Sequence, residues 1–567
     1  MKSIISRYQQ ELRDYPVKII VCVIFFVNII LMQVIPTLSP WSFNDDIAAN
    51  SYIFWRYHNS NFFPNDIMTQ YALSFQPPGI PILFWLFSWL SPIWVSKIFT
   101  FVVYGLFLLF ISKCFKVIFQ NNHLVDLAII LILINHQFFD KVVGANARGF
   151  VLPVQALLIY GAIERKKTYI WCAIIGGFLF SPQSFVIGVS LYALMMLYDL
   201  INGKFQWREW IITGLIFLFL ISFYYYSQHK VEEQFGKPFT LSQTQMMPEF
   251  GQNGRMKREI VCSPYREISQ ALLTPKMGRE WRLFWIKTHF DNLSWRTFLQ
   301  VVLLLLSIIG LINSIKKKNG WVKGIIFYTL SFLICYFGAR IFALRLYFPN
   351  RFLEPGIQLF FIVFSLFGLS SIINNYCSKM HKKHWILLTV LIVLILGTGL
   401  KPGTKLGRIR EKDMRIAIEW LRSTPVDTLI AGHPLDLDYI PTLAIRSVYV
   451  NRELGTSFRV KYYEEINRRV YLMLNAFYCT DIKSLESLKE EGVDLILLNT
   501  ERLDGKYIRE EGFYYEPFDT EIRKELKPED YNKFILLNPP NESVLFKMGN
   551  IRIISLEKLL SSKKIFS

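Results

Sequence analysis

Charge is scarce in this 567-residue chain. Asp, Glu, Lys and Arg make up 19% of it, against about a quarter in soluble domains. Hydrophobic residues make up 52% and aromatics 16%. That length and a mean hydropathy of +0.30 exclude a single soluble core, and the same composition excludes intrinsic disorder. Cysteine is sparse: there are seven, with no CxxC pair and no zinc spacing. Five of them (Cys22, Cys114, Cys172, Cys335, Cys377) lie in or beside apolar blocks, where a thiol packs as a small hydrophobe. No internal repeat is visible, which argues against an inverted-repeat transporter. No cleavable signal is expected, because the first apolar block follows a charged leader and no small-residue cleavage site comes after it.

What the chain does have is apolar blocks of membrane-spanning length. A spanning helix needs about 20 apolar residues. Blocks at roughly 17–36, 95–118, 123–139, 149–163, 168–180, 185–199, 209–227, 297–315, 321–338, 352–374 and 384–400 give about eleven spans. The fold class expected is an α-helical multi-pass membrane protein. Gly79–Leu90 is apolar but too short to span, which favours a re-entrant or interfacial helix. The net charge of +19 does not point to nucleic acid, since much of the Lys and Arg caps apolar blocks, where it meets anionic headgroups.

The caps also orient the layout. Sixteen Lys and Arg fall in the short loops on the N-terminal side, among them Arg165, Lys166 and Lys167 and the run Lys316–Lys318. The opposite short loops hold six: Arg56, Lys141, Arg148, Arg340, Arg345 and Arg351. The positive-inside rule then puts the N-terminus in the cytoplasm of a cell-membrane protein. Three larger pieces face outward: the 37–94 loop, the 228–296 loop and the tail 401–567. The tail alternates charged and apolar residues. Asp413–Arg422 reads as an amphipathic helix. Asp427–Ala431, Ser447–Val450, Val493–Leu498, Val544–Lys547 and Ile551–Ser555 read as short strands. The expected division is a transmembrane domain over 1–400 and an extracytoplasmic α/β domain over 401–567.

Four outward-facing motifs could hold chemistry. Asn44-Asp45-Asp46 puts two carboxylates just beyond the first span, as a general base, metal ligands or a helix N-cap. Gln76-Pro77-Pro78-Gly79 opens the re-entrant segment as a rigid wall or a plain interfacial turn. Asn146-Ala147-Arg148-Gly149 offers an arginine for a phosphate or for lipid headgroups. Arg340, Arg345 and Arg351 crowd the Tyr347-Phe348-Pro349-Asn350 turn without a carboxylate until Glu354, an anion-receiving or headgroup-anchoring pattern. In the 228–296 loop, Arg255, Lys257, Arg258, Trp281, Phe284, Trp285, Lys287 and His289 suit an interfacial amphipathic helix or a lid. His433-Pro434-Leu435-Asp436-Leu437-Asp438 matches no standard metal spacing and reads as a loop at a strand end. His136 and His229 read as interfacial.

In this order the motifs resemble the GT-C superfamily of membrane glycosyltransferases. The runs that carry the likeness are Asp45-Asp46, Phe62-Phe63-Pro64-Asn65-Asp66, Gln76-Pro77-Pro78-Gly79 before Phe84-Trp85, Asn146-Ala147-Arg148-Gly149-Phe150, Phe180-Ser181-Pro182-Gln183 and His433-Pro434-Leu435-Asp436. Over residues 15–400 the pattern is similar to aminoarabinose transferases and protein O-mannosyltransferases. It resembles still more the uncharacterised, mainly bacterial multi-pass proteins grouped with that superfamily. The chain departs from that pattern in having Asp-Asp for Asp-Glu, Gln-Pro-Pro for Lys- or His-Pro-Pro, and Gly149-Phe150 where an acidic residue follows the arginine.

The resemblance implies inverting transfer of a sugar from a polyprenyl-phosphate donor. Asp45 would be the base, Asp46 its partner, and Arg148, Arg340, Arg345 and Arg351 the ligands of the departing phosphate. Gln76, Pro77, Pro78 and Asp66 would shape the cavity. The partners implied are a polyprenyl-phosphate-linked sugar and membrane lipid, without nucleic acid. No cofactor is certain. Some members use a divalent metal, but the sequence shows no second carboxylate cluster to hold one. The alternatives are a lipid or solute transporter or flippase, disfavoured by spans nearly free of charge, and a non-catalytic assembly protein on the same fold.

Overall fold

The structure is a computed structural model. It describes residues 23, 39–42, 44–64, 66–119, 122–134, 136–144, 146–204, 207–251, 253–256, 295–316, 319–342, 344–345, 348–376, 412–509 and 514–563. The expected spans at 17–36 (Val23 apart) and 384–400 lie outside these residues, as does 257–294 with Lys257, Arg258, Trp281, Phe284, Trp285, Lys287 and His289.

Among the described residues, four helices are long and apolar enough to cross a membrane: Pro92–Ile118, Pro182–Ile201, Trp207–Phe235 and Gly320–Ile341. Local chemistry sets their starts. Ser91 and Ser181 stand in non-helical conformation, and Pro92 and Pro182 take the first helical position, where a missing N–H costs nothing. Further helices fill the bundle at Asn122–Ile134, Val151–Glu164, Lys167–Phe180, Trp295–Lys316 and Asn350–Tyr376. Val151–Glu164 ends where Arg165 turns left-handed and Lys166 N–H caps Gly161 O at 3.0 Å. It packs against Pro92–Ile118, Lys167–Phe180 and Gly320–Ile341. Tyr328 Oη donates to Gln155 Oε1 across one of these seams at 2.8 Å, which satisfies the buried hydroxyl, while Gln155 Nε2 has no partner among the described residues.

The apolar block at 123–139 is helical over Asn122–Ile134 and His136–Val142. One expectation needs correction. The block at 209–227 does not stop there: its helix runs to Phe235, so 228–235 are helical rather than loop. The Gln228–Gln234 stretch is polar, and hydropathy alone marks it as outside; helix propensity carries the backbone on.

The C-terminal residues form a five-stranded sheet of β1 (Leu429–Gly432), β2 (Ser447–Val448), β3 (Leu495–Asn499), β4 (Val544–Met548) and β5 (Ile551–Ser555), in the order β2-β1-β3-β5-β4. β2, β1 and β3 are parallel, and β5 and β4 are antiparallel. β3 is buried along its whole length, as parallel strands covered on both faces are. The helix Val460–Phe477 buries one stripe (Tyr462, Ile466, Val470, Met473, Leu474 and Phe477), the 3.6-residue period in practice. The expected strands fall within one or two residues of those found.

Candidate functional site

Asn44 caps the helix Asp45–Ser51: its Oδ1 accepts the Ile47 N–H at 2.8 Å. Asp45 and Asp46 therefore occupy the first turn without being needed as the cap, in a position where the helix dipole favours negative charge. Their backbone is placed; their carboxylates lie outside the described atoms.

The other motifs close around this helix start through direct contacts. Gly144 lies against Ile47, the residue after Asp46. A Cβ built on Gly144 would stand 3.1 Å from Ile47 Cγ1 and 3.8 Å from its backbone nitrogen. The turn that follows is held by Asn146 Oδ1, which accepts the Gly149 N–H at 3.0 Å. Arg148 sits on that turn, half-buried. Phe150, two residues on, stacks on Phe180 with ring centroids 4.4 Å apart. Phe180 also covers Gly79: a Cβ there would meet Leu179 O at 2.6 Å and the Phe180 ring at 2.7 Å, so only glycine lets the two backbones approach so closely. Gln76 donates its side-chain amide to Asn50 Oδ1 at 3.1 Å, tying the Gln-Pro-Pro-Gly segment back to the acidic helix. Gln183 donates to the carbonyl of Arg351.

The start of the acidic helix, the Gln76–Gly79 segment, the Arg148 turn and the first turn of the Arg351 helix are thus linked contact by contact at one end of the bundle. Arg351 lies over the Phe348 ring at 5.5 Å, and Phe348 meets Phe458 at 5.1 Å. Arg340 ends the Gly320–Ile341 helix. Arg345 follows it, exposed, and its carbonyl accepts from Tyr224 Oη at 3.1 Å. Asp66 is also a helix cap. It is the N-cap of Ile67–Ser74 and accepts from the Met68 and Thr69 amides and the Thr69 hydroxyl. Burial raises its pKa, against those bonds and the nearby Arg469.

One residue that sequence reading passed over belongs here. Lys97 is 2% exposed inside the apolar Pro92–Ile118 helix. Its Nζ donates to Ser39 O at 2.7 Å, on the segment that leads into the acidic helix. One turn on, Thr100 Oγ1 accepts the Gly144 N–H at 3.0 Å. A single helix face thus holds both the approach to Asp45 and the approach to Arg148. The signal was available: Lys97 stands inside an apolar run, where a charge is costly.

The C-terminal sheet packs on the same end. Arg415 lies over the Trp41 ring at 5.8 Å, and Tyr71 stacks on Tyr462 with centroids 3.5 Å apart. The loop after β1 is built differently from a metal site. Asp436 takes a two-pronged ion pair from Arg502. Asp438 accepts the Glu453 N–H at 3.0 Å. His433 is buried among Phe477, Tyr507 and Tyr514, which lowers its pKa well below the usual value. Among the described residues no three His, Cys, Asp or Glu gather as metal ligands.

No family model matches this sequence, and comparison with curated proteins gives no match. Among solved structures, the chain is similar to the oligosaccharyltransferase of Archaeoglobus fulgidus. Against its apo crystal structure the TM-score is 0.49 at 14% identity, covering 87% of this chain and 71% of the other. Against the same enzyme with Zn and sulfate it is 0.48 at 14% identity, covering 87% and 69%. Against that enzyme with an inhibitory peptide and a dolichol-phosphate it is 0.46 at 14% identity, covering 88% and 71%. Scores under one half describe a similar course of the chain and assign neither chemistry nor substrate to it.

Proposed function

We propose that this protein is an inverting glycosyltransferase that moves a sugar from a polyprenyl-phosphate donor to an acceptor hydroxyl at the extracytoplasmic surface of the cell membrane. The observation that carries the reading is the contact of Ile47 with Gly144. It brings the helix that begins with Asp45 and Asp46 against the turn that carries Arg148, so a proton acceptor and a phosphate ligand can serve one reacting centre.

In the proposed step the Asp45 carboxylate takes the proton of the acceptor hydroxyl. The hydroxyl oxygen attacks the anomeric carbon from the face opposite the phosphate. The bond from that carbon to the phosphate oxygen breaks, its electron pair leaves with the polyprenyl phosphate, and the new glycosidic bond has inverted configuration. Asp46 positions the acceptor or tunes Asp45, since two close carboxylates raise one pKa. Arg148, Arg351, Arg345 and Arg340 receive the charge that builds on the leaving phosphate, which is where fixed positive groups lower a barrier most. Lys97, buried on the same side, adds positive potential. Gln76, Pro77 and Pro78 wall the cavity. Eleven spans with the C-terminal sheet outside complete the proposed topology.

The test is Asp45→Asn, expressed at wild-type level in cells lacking the native copy. Loss of a surface or envelope glycan supports the enzyme; an unaltered glycan profile overturns it and leaves transport or assembly.

A further inference from the structure

The strongest unassigned contact is a hydrogen-bonded clasp between the C-terminal sheet and the acidic helix. Thr442 lies on the four-residue helix Ile440–Leu443, on the chain between β1 and β2. It is fully buried. Its hydroxyl donates to Ala48 O at 2.6 Å, and its own carbonyl accepts the Trp55 indole N–H at 3.1 Å. One residue thus donates to the Asp45–Ser51 helix and accepts from the turn that follows it. The Ile440–Leu443 helix packs on Asp45–Ser51 and on the turn Tyr52–Tyr57, and the residues buried there are apolar on both sides, with Ile47, Ala48 and Ile53 on one and Ile440 and Ala444 on the other.

A helix of seven residues is too short to hold its own position. Its first-turn side chains point wherever its neighbours set its axis. On the approach side Lys97 and Arg415 touch Ser39 and Trp41; beyond the acidic turn, Thr442 grips it. We propose that Thr442 is a positioning residue: the C-terminal sheet, through its hydroxyl, fixes the orientation of the helix that carries Asp45 and Asp46. The soluble region is then part of the working unit and not a separate appendage. Movement of the β1–β2 connection reaches the acidic turn through one hydroxyl.

This rests on the glycosyltransferase reading for its effect on activity, but not for the clasp itself, and the experiment separates the two. Thr442→Val keeps the shape and removes the donor, Thr442→Ser keeps the donor, and Trp55→Phe removes the opposite bond. In the full-length protein in lipid nanodiscs, backbone hydrogen exchange is read over 45–52 and over 460–477. Thr442→Val and Trp55→Phe should raise exchange about tenfold over 45–52 with 460–477 unchanged, and Thr442→Ser should behave as wild type. In cells, the Asp45-dependent glycan should fall about 10- to 100-fold with Thr442→Val, the loss typical of a misplaced reacting group, and return with Thr442→Ser. Unchanged exchange in Thr442→Val overturns the clasp. Raised exchange with a full Asp45-dependent glycan overturns positioning. If Asp45→Asn itself leaves the glycan intact, the enzymatic reading falls while the exchange experiment still decides the clasp.

Discussion

Gly144 and Ile47 meet so closely that a Cβ on Gly144 would stand 3.1 Å from Ile47 Cγ1, and Gly144 holds φ +107°. Any L-residue there is strained by conformation and crowded by the acidic helix. Gly144→Ala should cost about 1–3 kcal/mol and displace the acidic turn from the Arg148 turn. A lowered midpoint in detergent melting, with a larger loss of the Asp45-dependent glycan than of protein, checks this. An unshifted melt would show the backbone relaxing freely.

Arg148 and Arg351 are expected to act on the leaving phosphate. Replacing either with Gln should cut transfer about 10²- to 10³-fold, the scale for losing one preorganised group that meets developing charge. Lysine should restore only part, because a point charge does not replace a two-pronged guanidinium. Glycan labelling in cells, normalised to protein in the membrane, is the measurement.

Lys97→Met should lower the same glycan at least tenfold while leaving the membrane level of the protein unchanged. Methionine follows the stem of lysine and fills the helix face, so packing persists while the charge and the bond to Ser39 are lost. Lys97→Arg should retain more activity than Lys97→Met. Equal activity in all three would make Lys97 an anchor only.

Asp438 gives a pH signature. Burial first, and the neighbouring Glu453 carboxylate second, push its pKa up to about 7; the Glu453 N–H, Arg255 and Arg452 work the other way. The unfolded chain ionises Asp438 near pH 4, so between about pH 4 and pH 7 the folded state binds the extra proton. Stability contributed by this group therefore falls as pH rises through that window, and the full penalty is present above it. Asp438→Asn should raise the melting temperature at pH 8 and leave it unchanged at pH 4. A variant that gains nothing at pH 8 refutes the shift.

His433 is a buried imidazole whose two nitrogens have no hydrogen-bond partner among the described residues. An apolar ring of similar shape removes that desolvation cost. His433→Phe should be neutral or stabilising by about 1 kcal/mol and should leave the glycan unchanged. Loss of the glycan with unchanged stability would give the ring a chemical role.

The sequence made the repeating elements legible where one physical signal dominated. The helices Pro92–Ile118 and Gly320–Ile341 follow apolar blocks, and β5 at Ile551–Ser555 follows a β-branched run. It failed where two signals competed. At Gln228–Phe235 hydropathy ends before the helix does. Lys97 was hidden because averaging over a span erases a single charge.

Composition and local order by themselves determined that this chain builds apolar helices and a small terminal sheet. They also determined which motifs hold carboxylates, prolines and guanidiniums, because burial of apolar surface and backbone preference act over a few residues. Only the tertiary structure decided that Gly144 touches Ile47, that Phe180 covers Gly79, that Lys97 faces the acidic segment, and that Thr442 reaches Ala48 from 394 residues away. Those contacts depend on how helices pack against one another and on the sheet, and a linear pattern holds no record of which distant faces will meet.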